Sequence, residues 1–274
     1  MSRGRLEACF IEGRRGRLFA LLRGPASHAA PVVLVAPPFG DEMNKSRKMV
    51  TDLAEGLSAR GIATLVVDPY GTGDSEGEFR DADWNGWVED LHAAVAWAGA
   101  GGLRLHGLLG IRLGALLAAA VAAGLPQPVT RTVLWQPLVD GQRFVTQFLR
   151  LRVAASLMED RKETVGVLRE RSRAGETLEV AGYELSPALL AQLDALQLDA
   201  DAAAALGGLT WLEVVRAEGD GLPAASQAAV DSLRPRLARV AAGTAIGEPF
   251  WTSTEIVRIP ALVGRTVQAF AEAA

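Results

Sequence analysis

The residues Gly110-Ile111-Arg112-Leu113-Gly114 have the spacing of a G-x-S-x-G nucleophile elbow. That motif is a sharp strand-to-helix turn that lifts a reactive side chain above a sheet. It lies between an apolar run at 103–109 and an Ala/Leu-rich run at 115–123, the strand–turn–helix context it needs. The centre holds Arg112 rather than Ser, Cys or Asp. A guanidinium stays protonated and cannot act as a nucleophile. Two roles are open to it. It can lock the site in a structural ion pair with Glu248, Asp220 or Asp140, because a part-buried Arg must find an anion. Alternatively it can capture an anionic ligand, a carboxylate or phosphate, aided by the dipole and free amides of the helix that follows.

Other groups near the expected strand ends could take part. The polar loop Asp41-Glu42-Met43-Asn44-Lys45-Ser46-Arg47 either caps the helix after it or forms a pocket rim, with Asn44, Lys45 and Ser46 as donors. Beside Gly40, the backbone N–H groups of Phe39 and Leu113 could form an oxyanion-hole-like pair. Asp74 and Ser75 are expected to shape a Gly-rich turn through Asx-type hydrogen bonds. The chain has three histidines, His28, His92 and His106, all expected to be structural. A serine triad of this kind runs nucleophile, acid, histidine along the chain, and no histidine follows position 106. If water is activated instead, Asp140, Glu218, Asp220 or Glu248 is the candidate general base, with Arg112 as electrophilic clamp. Cys9 is the single cysteine and sits in an edge-type strand, so neither a disulfide framework nor a cysteine-built metal site is available. No metal and no cofactor is expected.

The elements that must hold these groups read as an α/β chain. Strands are expected at 6–11, 17–22, 31–36, 62–67, 103–109, 132–136, 209–215 and 239–242. Helices are expected at 46–60, 84–98 (with Asp83 as N-cap), 115–123 and 260–273. Strands alternating with helices imply a mostly parallel sheet covered on both faces. From 140 to 208 the pattern changes. A long basic helix at 142–174, a loop at 182–187 and a short helix at 187–198 read as a helical cap insertion. Residues 1–139 and 209–274 then form the core of a single domain.

These features together resemble the α/β-hydrolase superfamily over nearly the whole chain. The segment 35–40 (VAPPFG) stands where that family has its oxyanion loop, and 68–77 (DPYGTGDSEG) matches its Gly-Asp-Ser-x-Gly loop. A narrower resemblance is carried by 37–47 (PPFGDEMNKSR), 112–115 (RLGA), 135–141 (WQPLVDG) and 247–251 (GEPFW). These segments are similar to the exosortase A system-associated hydrolases of type 2. That resemblance implies a bacterial setting of exopolysaccharide synthesis and PEP-CTERM protein sorting, with a protein partner from that system. With the elbow nucleophile and the late histidine both missing, the expectation is a binding or accessory protein with a degenerate triad. The alternative is an active hydrolase or acyl transferase on a small ester or anionic substrate.

Composition agrees with a globular domain. The 274 residues are 49% hydrophobic and 22% charged, which excludes a disordered chain. A formal net charge of −4 gives no sign of nucleic-acid binding. The longest apolar stretch, 103–125, is interrupted by Arg104, His106 and Arg112, so a membrane span is not expected. The N-terminus has no uninterrupted apolar core of a signal peptide, and a cytoplasmic protein is expected. The 142–174 segment carries eight Lys/Arg against four Asp/Glu. Its basic face is a solvated surface, or meets an anionic partner or the membrane surface peripherally.

Overall fold

A computed structural model describes residues 4–25, 29–158 and 163–272. The chain opens with an antiparallel hairpin, β1 (Arg5–Glu12) and β2 (Arg17–Gly24). It continues through β3 (Pro31–Ala36), α1 (Asp41–Ser58), β4 (Ala63–Val67), α2 (Trp84–Ala100), β5 (Arg104–Ile111), α3 (Gly114–Ala123) and β6 (Arg131–Trp135). Between β6 and β9 come α4 (Gly141–Met158), α5 (Val165–Arg173), the small hairpin β7 (Leu178–Val180) and β8 (Tyr183–Leu185), α6 (Pro187–Asp194) and α7 (Ala200–Ala203). Then follow β9 (Gly208–Val215), α8 (Ala224–Leu233), β10 (Val240–Ile246) and α9 (Pro260–Ala271). The eight-stranded sheet has the order β1-β2-β4-β3-β5-β6-β9-β10 and is parallel from β4 onward. This is the α/β-hydrolase fold.

The apolar runs explain the layering. Alternate residues of the central strands face opposite sides, so a run such as Val32-Val33-Leu34-Val35 is buried on both faces. Val33, Val35, Leu109, Ile111, Val133 and Trp135 pack against α1 and α9 through Met49, Leu53, Leu57, Leu262 and Phe270. Leu34, Leu108, Leu134 and Trp211 face α2, α3 and α8 on the other side. The segment between β6 and β9 adds Val145, Leu149, Leu178 and Leu193 to this second core.

Several expected boundaries shift. Residues 41–47 are not a loop but the first two turns of α1, because Asp41 and Glu42 suit the positive end of a helix. The basic segment 142–174 is not one helix. Thr164 accepts a hydrogen bond from the Val167 N–H and starts α5 afresh. Residues 182–187 are not all loop, since Tyr183–Leu185 pairs with Leu178–Val180. Helix α6 ends at Asp194, earlier than expected, whereas β10 runs on to Ile246.

The two elbow glycines are required by close backbone approach. A Cβ on Gly114 would lie 2.1 Å from the Ala36 carbonyl oxygen and 2.6 Å from that of Pro37. A Cβ on Gly110 would meet the Ala115 Cα at 2.8 Å. Helix α3 can therefore start directly against the end of β3, which brings the loop after β3 beside the elbow. Gly114→Ala is expected to cost about 1–3 kcal/mol through overpacking against rigid backbone. Gly264→Ala, on α9 with nothing within 4 Å of its Cβ, is expected to be neutral or slightly stabilising. Thermal unfolding of the two variants checks this.

Candidate functional site: the β5–α3 elbow

Arg112 occupies the centre of the elbow in the left-handed conformation, φ 56°. That backbone is uncommon for a residue with a Cβ and marks a position held by its surroundings. The Arg112 N–H donates to the Trp135 carbonyl at 2.9 Å. Its own carbonyl accepts from the Ala115 and Leu138 N–H groups, both at 3.1 Å. The elbow is thus pinned to the end of β6 as well as to α3.

The guanidinium is enclosed on three sides. Nε donates to both carboxylate oxygens of Glu42 at 3.3 Å, and Nη1 to the Gln136 carbonyl at 3.3 Å. The Trp251 ring lies beneath it, 4.9 Å from centroid to Cζ. Stacking of this kind favours a weakly hydrated planar cation. The side chains of Arg112 and Glu42 are only 16% and 21% exposed. Burial holds the Glu42 carboxyl above its ordinary value of 4.5, although Arg112 and, more weakly, Lys45 pull it down.

The partner of Arg112 is therefore Glu42, and none of Glu248, Asp220 and Asp140 takes that role. The segment 247–251 does reach the elbow, but with Trp251 rather than Glu248, which points to solvent. Glu218 and Asp220 are also exposed, and Asp220 accepts from the Ala217 N–H within its own turn. Asp140 accepts from the Arg143 N–H at the start of α4 and borders a cavity with Arg112.

Two cavities flank the elbow. One, of about 250 Å³, is bounded by Phe39, Gly40, Asn44, Phe79, Trp84, Trp87, Leu113 and Tyr183. Phe39 is its hub. It meets Phe79, Trp87, Phe144 and Phe148 edge-on at centroid distances of 5.2–5.9 Å, which joins the loop after β3 to α2 and α4. The N–H groups of Phe39 and Leu113 donate no hydrogen bond among the described residues, and both residues border this cavity. The second cavity, of about 260 Å³, has a mixed wall that includes Leu138, Phe144 and Trp211. It is lined by Arg112, Gln136, Asp140, Arg143, Gln147 and Glu213 among others.

The other expected donors are mostly spent elsewhere. Asn44 borders the aromatic cavity but accepts from Arg47 Nε through its carbonyl, at 3.2 Å. Lys45 pairs with Asp41 at 2.8 Å. Ser46 is buried and donates to the Glu42 carbonyl, a bond within α1. Ser75 accepts from the Phe19 N–H at 2.8 Å and donates to the Asp68 carbonyl. The turn at 68–77 is organised by Asp68, which accepts from the Asp74 N–H and from Arg47, while the Asp74 side chain is exposed and makes no Asx bond. His92 and His106 bond to the carbonyls of Val121 and Phe270, so both serve the scaffold. His28 lies outside the described residues.

Two carboxylates were missed. Glu42 reads as part of a solvated loop until α1 is seen to begin at Asp41. Glu213 lies on β9 and is buried. Its Oε1 accepts from Trp211 Nε1 at 2.8 Å and Ser226 Oγ at 2.6 Å, while Oε2 has no partner among the described residues. A lone charge in the apolar run 209–215 was its signal. Among the described residues no group of three His, Cys, Asp or Glu could hold a metal ion. Among the described residues no helix is long and apolar enough to cross a membrane.

Comparison with known proteins agrees with the fold. The family described as Serine aminopeptidase, S33 (Hydrolase_4) matches residues 27–190, more than half of the chain. The chain belongs to that family, and with it to the α/β hydrolases. A polyketide transferase from a Penicillium species is 34% identical over 130 residues, 46% of this chain and 41% of that protein. The chain thus spans about two-fifths of that curated relative. The esterase Est1E of Butyrivibrio proteoclasticus, solved with ferulic acid bound, has a similar fold, with TM-score 0.65, 18% identity and coverage of 96% and 97% of the two chains. A carboxyl esterase of Tuber melanosporum is similar at TM-score 0.62 and 16% identity, over 98% and 88%.

Arg112→Ala leaves the Glu42 carboxyl buried without its charged donor. A loss of about 1.5–3 kcal/mol is expected, the worth of a charged hydrogen bond. Adding Glu42→Ala should restore part of that loss, and a double-mutant cycle by chemical denaturation reads the coupling. The pH dependence has a definite sign. With its folded pKa raised, Glu42 contributes most below its unfolded value, and the contribution fades as pH rises through the folded value. The stability advantage of the native chain over Glu42→Gln should therefore be larger near pH 4 than near neutrality, as melting temperatures will show.

Proposed function

We propose that this protein binds an acid or ester at the elbow without forming an acyl-enzyme. The observation that carries this reading is Arg112 itself, a cation locked by Glu42, Gln136 and Trp251 where an acyl-transfer enzyme needs its nucleophile. The absence of any histidine after His106 supports it, since the base of such a triad comes late in the chain. The amides of Phe39 and Leu113 suit a carbonyl or carboxylate oxygen, and Phe79, Trp84, Trp87 and Tyr183 suit an apolar or aromatic body. An aromatic acid such as the ferulic acid held by Est1E has this chemistry. The residues between β6 and β9 act as the cap over this cavity, because Tyr183, Phe144 and Phe148 close on Phe39.

The resemblance of segments 37–47, 112–115, 135–141 and 247–251 to exosortase A system-associated hydrolases of type 2 supports an accessory role in exopolysaccharide synthesis and PEP-CTERM sorting. A cytoplasmic location and a protein partner from that system belong to the same reading. A second reading is favoured by Glu213. Its Oε2 is buried without a partner among the described residues, and the residue lines a cavity with Arg112 and Asp140, as a general base for water would. On that reading the protein is a hydrolase or acyl transferase, in line with its polyketide transferase relative.

A fluorophosphonate probe and a panel of short esters separate the readings. The expected result is no covalent labelling and no turnover above buffer. Labelling that disappears in Ser46→Ala or Ser75→Ala would overturn the proposal. Ester turnover lost in Glu213→Gln would establish the second reading in its place.

A further inference from the structure

A strongly basic groove lies between α4 and α5, outside the elbow site. Arg143, Gln147 and Arg150 fall on one face of α4 at helical spacing, and Arg169 and Arg173 face them from α5. Together with Asp140, Gln142 and Thr146 they line a cavity of about 390 Å³. Most arginines of this acidic chain have a carboxylate partner. Arg143, Arg150 and Arg173 have none among the described residues, yet all three border this one cavity.

Arg169 is fixed in place. It pairs with Asp194 and also donates to Thr146 Oγ1 at 3.0 Å and to the Gln142 carbonyl at 3.3 Å. Arg173 sits in the last turn of α5, where the helix dipole favours a cation. Arg143 has no such support. It lies in the first turn of α4, at the positive end of the helix, with only Asp140 beside it. Four guanidinium groups against the carboxylates of Asp140 and Asp194 leave the groove with an excess of positive charge. Planar guanidinium forks match phosphate oxygens and bind them bidentately.

We propose that this groove binds a phosphate or diphosphate group through Arg143, Arg150, Arg169 and Arg173. Asp140, Arg143 and Gln147 line both this groove and the cavity that contains Arg112. A phosphorylated small molecule anchored here would lie beside the cavity that contains Arg112. The groove would bind its anion whether or not the elbow reacts, so this proposal and the reading of the elbow fail separately.

The test is calorimetric titration of the native chain with inorganic pyrophosphate at constant ionic strength. Saturable one-to-one binding is expected. It should weaken about tenfold or more, a loss of roughly 1.4 kcal/mol, in Arg150→Gln/Arg173→Gln. The control pair Arg60→Gln/Arg216→Gln alters two exposed arginines away from the groove and should bind within about twofold of the native chain. Absence of saturable binding would overturn the proposal, as would equal weakening in the control pair. Binding to phosphatidylglycerol vesicles without binding of free pyrophosphate would overturn it in favour of a membrane surface.

Discussion

A guanidinium at the centre of a tight strand-to-helix turn has to find an anion, and the surroundings of the elbow follow from that requirement. Arg112 is held in a left-handed conformation by backbone bonds to Trp135, Ala115 and Leu138, so its side chain has little choice of direction. Glu42 supplies the charge, the Gln136 carbonyl a further acceptor, and Trp251 a flat surface. These partners come from α1, the end of β6 and the segment before α9. Burial works against the charged form of Glu42, as its raised pKa records, so the pair stands only because both members are present.

The same turn shapes the two cavities. Gly114 lets α3 approach the carbonyls of Ala36 and Pro37, which places Leu113 beside the loop of Phe39. On one side the wall includes aromatic rings and two residues whose amides donate no hydrogen bond among the described residues. On the other side it carries Arg112, Asp140 and the buried Glu213, and shares Asp140, Arg143 and Gln147 with the arginine groove between α4 and α5. Oriented donors can bind an oxygen anion with or without a nucleophile nearby. The central position of this hydrolase scaffold serves an ion pair, and the carbonyl-binding role proposed for the neighbouring amides rests on that arrangement.

Much of the architecture was legible in the sequence. The apolar runs around Val33, Leu65 and Leu108 read as strands buried on both faces, and the spacing of Gly110 and Gly114 located the elbow. Asp83 capped α2 as read, donating nothing and accepting from the Gly86 N–H. The partner of Arg112 was not legible, because Glu42 lies 70 positions away and the contact is purely tertiary. The polar residues 41–47 looked like a solvated loop. An acidic pair after a glycine was the available sign that a helix had already begun. The break in the basic segment before α5 was marked by Thr164, a cap residue inside an apparently continuous helical pattern. Glu213 was visible as a charge in a buried strand, but its cavity-facing neighbours become apparent only when β9 is placed beside β6.

The most direct measurement of the central claim follows the backbone amides of the native chain by nitrogen–proton correlation spectroscopy during titration with cinnamate. The account predicts that the Phe39 and Leu113 amides shift together with a single saturating affinity, while the protein mass stays unchanged. Amides that stay still while cinnamate binds elsewhere, or a mass increase on exposure to a cinnamoyl ester, would contradict it.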